Sequence, residues 1–212
     1  MDIFVFGTLR SDTLREIVLG RDMSSDDICE ATIRDFQVYW AKEGPFPVMI
    51  PEPNSEAYGL VLKNLSEPDV ERLNYYELGF DYVLATTSVE THAGQIGVSA
   101  YFCNRSDMAT TKLWSFDDWL SDHSEIQYLA AREFLDFFGT KFGDTAQVMY
   151  NSILKRAEVF VSESSTPSSA LEIGPDLNTN IQIEDLKREY LGFFALNQVD
   201  LKYPFFDNST SG

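Results

Sequence analysis

The sequence predicts an α+β fold, a strand-dominated block followed by a mainly helical extension. Three observations carry this reading. Up to about residue 104 the apolar residues fall in short runs or alternate along the chain, as strands require. From Ser115 onward they recur at helical spacing over two long stretches. Hydrophobic residues make up 44% of the 212, with 16 Phe, 10 Tyr and 3 Trp, so the chain can build a core rather than stay disordered.

Residues 2–6 (DIFVF) form a nearly all-apolar run, typical of a strand buried on both faces. Gly7 and Thr8 interrupt it, and Leu14, Ile17, Val18 and Leu19 follow at helical spacing, with Gly20 as a stop signal. Residues 31–40 and 56–63 read as the next two strands. Between them GPFPVMIPEP holds Pro45, Pro47, Pro51 and Pro53 and is expected to be irregular or a sheet edge. Ser66, with Asp69 three residues on, marks a capping box and a helix to about Glu77. Residues 80–91 and 95–103 form two more strands around a turn at His92–Gly94. In the second, Ile96, Val98, Ala100 and Phe102 point one way and Gly97, Ser99 and Tyr101 the other. A long helical stretch runs from Ser115 to Phe138, stopped by Gly139, and another covers about 144–161. The expected organisation is a first domain over 1–105, a helical extension over 106–161, a linker over 162–180 beginning with SESSTPSS, and an aromatic segment over 181–212.

Acidic residues outnumber basic ones 34 to 16, a formal charge of −18. Such a surface repels phosphate backbones and anionic lipid, so neither nucleic acid nor membrane is expected as a partner. The N-terminus MDIFVFGTLR has no basic segment ahead of a long apolar core, which points to the cytoplasm. Cys29 and Cys103 are then reduced thiols, most simply small core residues. His92 and His123 lie far apart, neither with a partner at metal-ligand spacing, so no zinc or iron site is expected.

Two places carry chemistry. At 100° per residue, Val70, Leu73 and Glu77 fall within about 60° of one another, which puts a carboxylate on the apolar stripe of its helix. Burial there would favour the neutral acid and raise its pKa toward the range of a general acid/base. The competing reading is a glutamate at a frayed helix end that swings into solvent. The other place is the turn Phe6-Gly7-Thr8-Leu9-Arg10, where a strand feeds a helix through glycine and backbone N–H groups converge on one spot suited to an anion. It has the wrong length for a phosphate loop, and no dinucleotide fingerprint is present.

In order and spacing, FVFGTLR, PFPVMIP, EAYGLVL, SEPDVERL, LNYYELGFDY and GVSAYFC resemble the gamma-glutamyl cyclotransferase-like family over residues 1 to about 104. The resemblance implies a mixed β-barrel with short helices. It also implies an enzyme that needs no cofactor and lets the α-amine of a gamma-glutamyl compound attack its own side-chain carbonyl, giving 5-oxoproline and a free amine. In that scheme Glu77 is the acid/base and Gly7, Thr8 and Leu9, flanked by Phe6 and Arg10, hold the α-carboxylate. Phe46 and Pro47 line the pocket, and Tyr82 orients the carboxylate or the substrate. Three departures stand out: Phe6 in place of a common tyrosine, Leu78 between the glutamate and Gly79, and Leu84 in place of a common arginine.

Beyond residue 105, WSFDDWLSDHSEIQYLAAREFLDFFG and ILKRAEVF resemble the helical part of bacterial fusions in which a cyclotransferase-like domain precedes a Nudix domain. YLGFFALNQVDLKYPFFDNSTSG resembles the entry into that second domain. The Glu-rich Nudix box is absent, so no pyrophosphatase activity is expected. Phe116, Trp119, Leu120 and His123 share a helix face, where His123 is more simply structural than catalytic. Phe134, Phe137 and Phe138 read as core or interface, and the helical half is suited to a homodimer contact. The function competing with the enzyme is a non-catalytic module whose same pocket binds a glutamyl-like or carboxylate ligand.

Overall fold

The apolar N-terminal run becomes strand β1 (Ile3–Val5), with all three residues buried. In the computed structural model, which describes residues 1–77, 82–103, 105–139 and 146–164, β1 has a neighbour on each side. It pairs antiparallel with the end of β3 (Pro47–Leu62) and parallel with β5 (Gly94–Cys103). From β5 the ladder passes to β4 (Tyr82–Thr91), from β4 to β2 (Ile28–Ala41), and from β2 back to β3. That circuit closes a five-stranded mixed barrel, and β6 (Ala109–Leu113) adds to the outside of β2. The predicted α+β class and barrel are the observed architecture.

Close approach at one glycine helps the closure. A side chain on Gly59 would put its Cβ 2.3 Å from the Val5 carbonyl oxygen and 2.6 Å from the Phe4 ring. Only hydrogen fits where β1 crosses β3.

From Pro47 onward the proline-rich segment forms regular strand, and residues 44–46 form the bend that leads into it. Pro47 and Pro51 lie opposite Trp40 and Phe36 in the β2–β3 ladder. The bond from Ala41 N–H to the Phe46 carbonyl sets the alternation, so Pro47 falls where its missing N–H faces away from β2. This half of β3 has no second strand beside it, so the segment is edge strand from Pro47 and irregular before it. The strands also run longer than periodicity suggested, because a bulge at Asp35, which has φ 60°, lets β2 and β3 resume pairing after a register shift.

Helix α1 (Asp12–Leu19) starts at Ser11, whose side chain accepts from Leu14 N–H, and stops at Gly20 with φ 71°. Helix α2 (Glu67–Glu77) has the predicted cap. The Asp69 carboxylate accepts from the Ser66 N–H at 2.9 Å and from its hydroxyl at 2.7 Å.

Residues 106–113, placed above in the helical extension, instead form a 3-10 turn and β6, and Met1–Pro167 make one unit. The single long helix expected over 115–138 is broken at His123 into α3 (Phe116–Asp122) and α4 (Ser124–Leu135). At the break His123 leaves helical geometry (φ −132°), and its ring meets Trp40 edge-on with centroids 5.6 Å apart, a structural setting. Helix α5 (Ala146–Ser164) packs on α4, and Phe134, Ile153 and Ala157 are buried. The rest of the predicted linker and the aromatic segment, 165–212, lie outside the described residues. Cys29 and Cys103 share no disulfide and are half-buried; Cys103 packs against the small core of Ala41, Val48 and Met108, as expected of a core residue, and Cys29 does not join it. Among the described residues no helix is long and apolar enough to cross a membrane, and no group of His, Cys, Asp and Glu is placed to hold a metal ion.

Candidate active site

The site begins with the turn after β1. Thr8–Arg10 form a 3-10 turn whose first internal bond runs from Arg10 N–H to the Gly7 carbonyl, at 3.0 Å. The N–H groups of Thr8 and Leu9 therefore have no acceptor within the turn. Arg15, on α1 and 4% exposed, fixes the backbone from behind: its guanidinium donates to the Leu9 carbonyl at 3.0 Å and the Arg10 carbonyl at 2.7 Å. Gly7 is required because a Cβ there would lie 2.1 Å from Pro47 Cγ. The turn and the start of β3 are thus pressed together, and they form one wall of a cavity of about 90 Å³.

Eight of the nine residues predicted for the site line this cavity: Phe6, Gly7, Thr8 and Leu9 from the turn, Phe46 and Pro47 from β3 and its approach, and Glu77 and Tyr82. Arg10 does not. Its guanidinium lies 4.5 Å from the centre of the Phe116 ring, because the 3-10 turn rotates its side chain toward α3. Sequence reasoning missed Glu43, Tyr76, Tyr101, Gln127, Tyr150 and Leu154, all of which line the cavity. Tyr101 could have been found, since it lies on the strand face named with Gly97 and Ser99. The residues of α4 and α5 gave no signal, because helical periodicity marks them only as packed.

Glu77 ends α2, on the flank of a buried face made by Asp69, Leu73 and Tyr76. The residue is half-buried, and its carboxylate makes no hydrogen bond among the described residues. Four tyrosines surround it, and each donates its proton elsewhere. The Tyr82 hydroxyl donates to the Pro47 carbonyl at 2.8 Å and the Tyr101 hydroxyl to Asn74 Oδ1 at 2.8 Å. The Tyr76 hydroxyl donates to that of Tyr150, which donates to Gln127 Oε1 at 2.9 Å. Tyr82 therefore fixes the Pro47 wall and spends no proton on orienting the glutamate. The aromatic rings exclude water and offer nothing in exchange, so burial pushes the Glu77 carboxyl from 4.5 up to about 7. The tyrosines respond in kind: burial first, then the charge of Glu77, raises Tyr101, and burial raises Tyr150 to about 12.

A half-buried carboxyl poised at neutral pH thus shares a small, largely aromatic cavity with two backbone donors that have no acceptor within their turn. Such a cavity can hold an anion at the turn and move a proton at the glutamate. The family model for gamma-glutamyl cyclotransferase, AIG2-like, matches residues 3–121, more than half of the chain. The chain belongs to this family. AIG2-like protein A of Arabidopsis thaliana is 25% identical over 127 residues, covering 58% of this chain and 74% of that one. Protein AIG2 A from the same plant is 24% identical over 172 residues, covering 80% and 94%. A solution structure from Arabidopsis thaliana matches with a TM-score of 0.46 at 22% identity, over 64% of this chain and 90% of the other. The family segment contains the turn, the β3 wall, Glu77, Tyr82 and Tyr101, and it stops before α4 and α5.

Proposed function

We propose that the protein is a gamma-glutamyl cyclotransferase that converts a gamma-glutamyl amide or amine into 5-oxoproline and a free amine. The α-carboxylate of the substrate is received by the N–H groups of Thr8 and Leu9. Glu77, ionised, takes a proton from the α-ammonium, and the freed amine nitrogen attacks the γ-carbonyl carbon. The new C–N bond closes a five-membered ring, and the old one breaks as the proton on Glu77 passes to the departing nitrogen. Glu77, ionised again, takes the second proton from the ring nitrogen and gives it to the freed amine, leaving a neutral lactam. No water is consumed. Both reacting groups belong to one molecule, so holding the chain folded supplies much of the rate. A carboxyl near 7 is matched to this double duty, because it takes and returns a proton at similar cost.

The observation that carries this reading is the ring of four tyrosines that desolvates Glu77 without hydrogen-bonding it. A structural glutamate at a helix end would be paired or fully solvated; this one has no partner among the described residues and is half withdrawn from water. Incubation with gamma-glutamyl amines and dipeptides, assayed for 5-oxoproline, tests the proposal. Release that disappears in Glu77→Gln supports it, and binding without release in the parent protein replaces the enzyme with a binding module.

A further inference from the structure

Gln127 is a side-chain amide of the cavity lining that is held by a hydrogen bond. It sits on α4, 3% exposed, beyond the segment that matches the family model. Its Oε1 accepts from the Tyr150 hydroxyl at 2.9 Å, which leaves Tyr150 to accept from Tyr76. The Nε2 group is left with two hydrogens and no partner among the described residues. It is not one of the fully enclosed polar atoms, so it keeps surface of its own, and Gln127 lines the cavity. A donor that faces the cavity without a protein acceptor is open to an acceptor on a ligand. Gln127 and Glu77 line the same cavity. The anion-binding N–H groups belong to the turn on the barrel wall.

We propose that Gln127 Nε2 donates to the γ-carbonyl oxygen of the substrate as that oxygen gains negative charge, and to the lactam carbonyl of 5-oxoproline afterwards. This rests on the cyclotransferase reading, and it makes the helical extension part of the catalytic site. When the α-amine attacks, the carbonyl π electrons move onto oxygen, and they return when the bond to the departing nitrogen breaks. A donor already in place needs no reorganisation to stabilise that oxygen. Tyr150 and Tyr76 act as positioning residues that keep Nε2 aimed at it.

The test compares the parent protein with Gln127→Met and Tyr150→Phe, measuring kcat and KM for 5-oxoproline release and, by calorimetry, the affinity for 5-oxoproline itself. Gln127→Met is expected to lower kcat about a hundredfold with little change in KM, as loss of one oxyanion donor does. It should also weaken 5-oxoproline binding about tenfold. Tyr150→Phe, which keeps the donor but frees its orientation, should show a smaller loss of kcat. Unchanged turnover in Gln127→Met overturns the assignment and leaves the cyclotransferase reading standing. If the parent releases no 5-oxoproline, that reading fails, and 5-oxoproline binding alone decides the role of Gln127: weaker binding in Gln127→Met supports it, and no binding or equal binding overturns it. If Gln127→Met does not fold, the side-chain amide NMR signals of Gln127 in the parent decide: a shift on titration with 5-oxoproline supports the donor, and stationary signals overturn it.

Discussion

Asp69 and Glu77 are carboxylates near the two ends of one helix, and the protein treats them in opposite ways. Asp69 is buried yet fully satisfied. Arg21 donates to it twice, at 2.8 and 2.7 Å, and Ser66 donates through both its backbone and its hydroxyl. Those bonds, the one to Arg21 foremost, hold its carboxyl well below the usual carboxylate range despite burial. Glu77 is surrounded by hydroxyl groups that all donate elsewhere, and burial alone raises it. Depth is thus a poor guide to the charge of a carboxyl; what decides is whether donors accompany it. Asp69 stabilises the helix in its ionised form, whereas Glu77 is kept ready to change form.

The sharpest way to break this contrast is Glu77→Gln. Loss of the proton carrier is expected to lower 5-oxoproline release by about a thousandfold, read from initial rates, while Asp69→Asn, if folded, should stay within about threefold of the parent. Comparable losses in both would mean that the two ends of α2 do not differ in role.

The second expectation concerns stability and has the opposite sign. A carboxyl raised from 4.5 to about 7 binds its proton more tightly when folded, so ionisation costs folding free energy. The cost is absent below pH 4.5, grows through the interval, and is complete above 7, reaching about 3 kcal/mol. Glu77→Gln should therefore leave stability nearly unchanged at pH 4.5 and raise it at pH 8, measured by denaturant unfolding at both pH values. A gain independent of pH would place its origin elsewhere.

Asp69→Asn should destabilise by about 2 kcal/mol at pH 7, since it removes a charge that holds both the cap and Arg21. Arg21 is 45% exposed, and water compensates part of that loss. Because the Asp69 carboxyl is depressed, its stabilisation is present above its unfolded pKa and is lost as pH falls through and below that value. The difference between parent and Asp69→Asn should accordingly shrink in acid. The smallest effect is expected for Tyr82→Phe, which leaves the Pro47 carbonyl without its donor and should cost about 1 kcal/mol, with turnover reduced through a loosened wall rather than through the proton transfer.

The same contrast shows what the sequence makes legible. The capping box of Asp69 is a local pattern, written within four residues, and it was readable in full. Glu77 was readable as a carboxylate on an apolar stripe, because a helix repeats regularly enough to place it. The walls that bury it were only partly readable: Tyr101 lies on a strand face that alternation shows, whereas Gln127 and Tyr150 come from two helices brought to the cavity only by the packing of α4 and α5. The proline segment was half legible: proline forbids a central strand, and only the topology shows that β3 lies at an edge there. The break at His123 was invisible because apolar spacing continues through it, and Arg10 was misplaced because a 3-10 turn advances side chains by 120° per residue rather than following an extended path.

The central claim is that the Glu77 carboxyl is desolvated and unpaired. A ¹³C NMR titration of the side-chain carboxyls, with Glu77→Gln used for assignment, tests it directly. The account expects one glutamate resonance to titrate near 7 and to vanish in the variant. A Glu77 resonance titrating near 4.5 would contradict it.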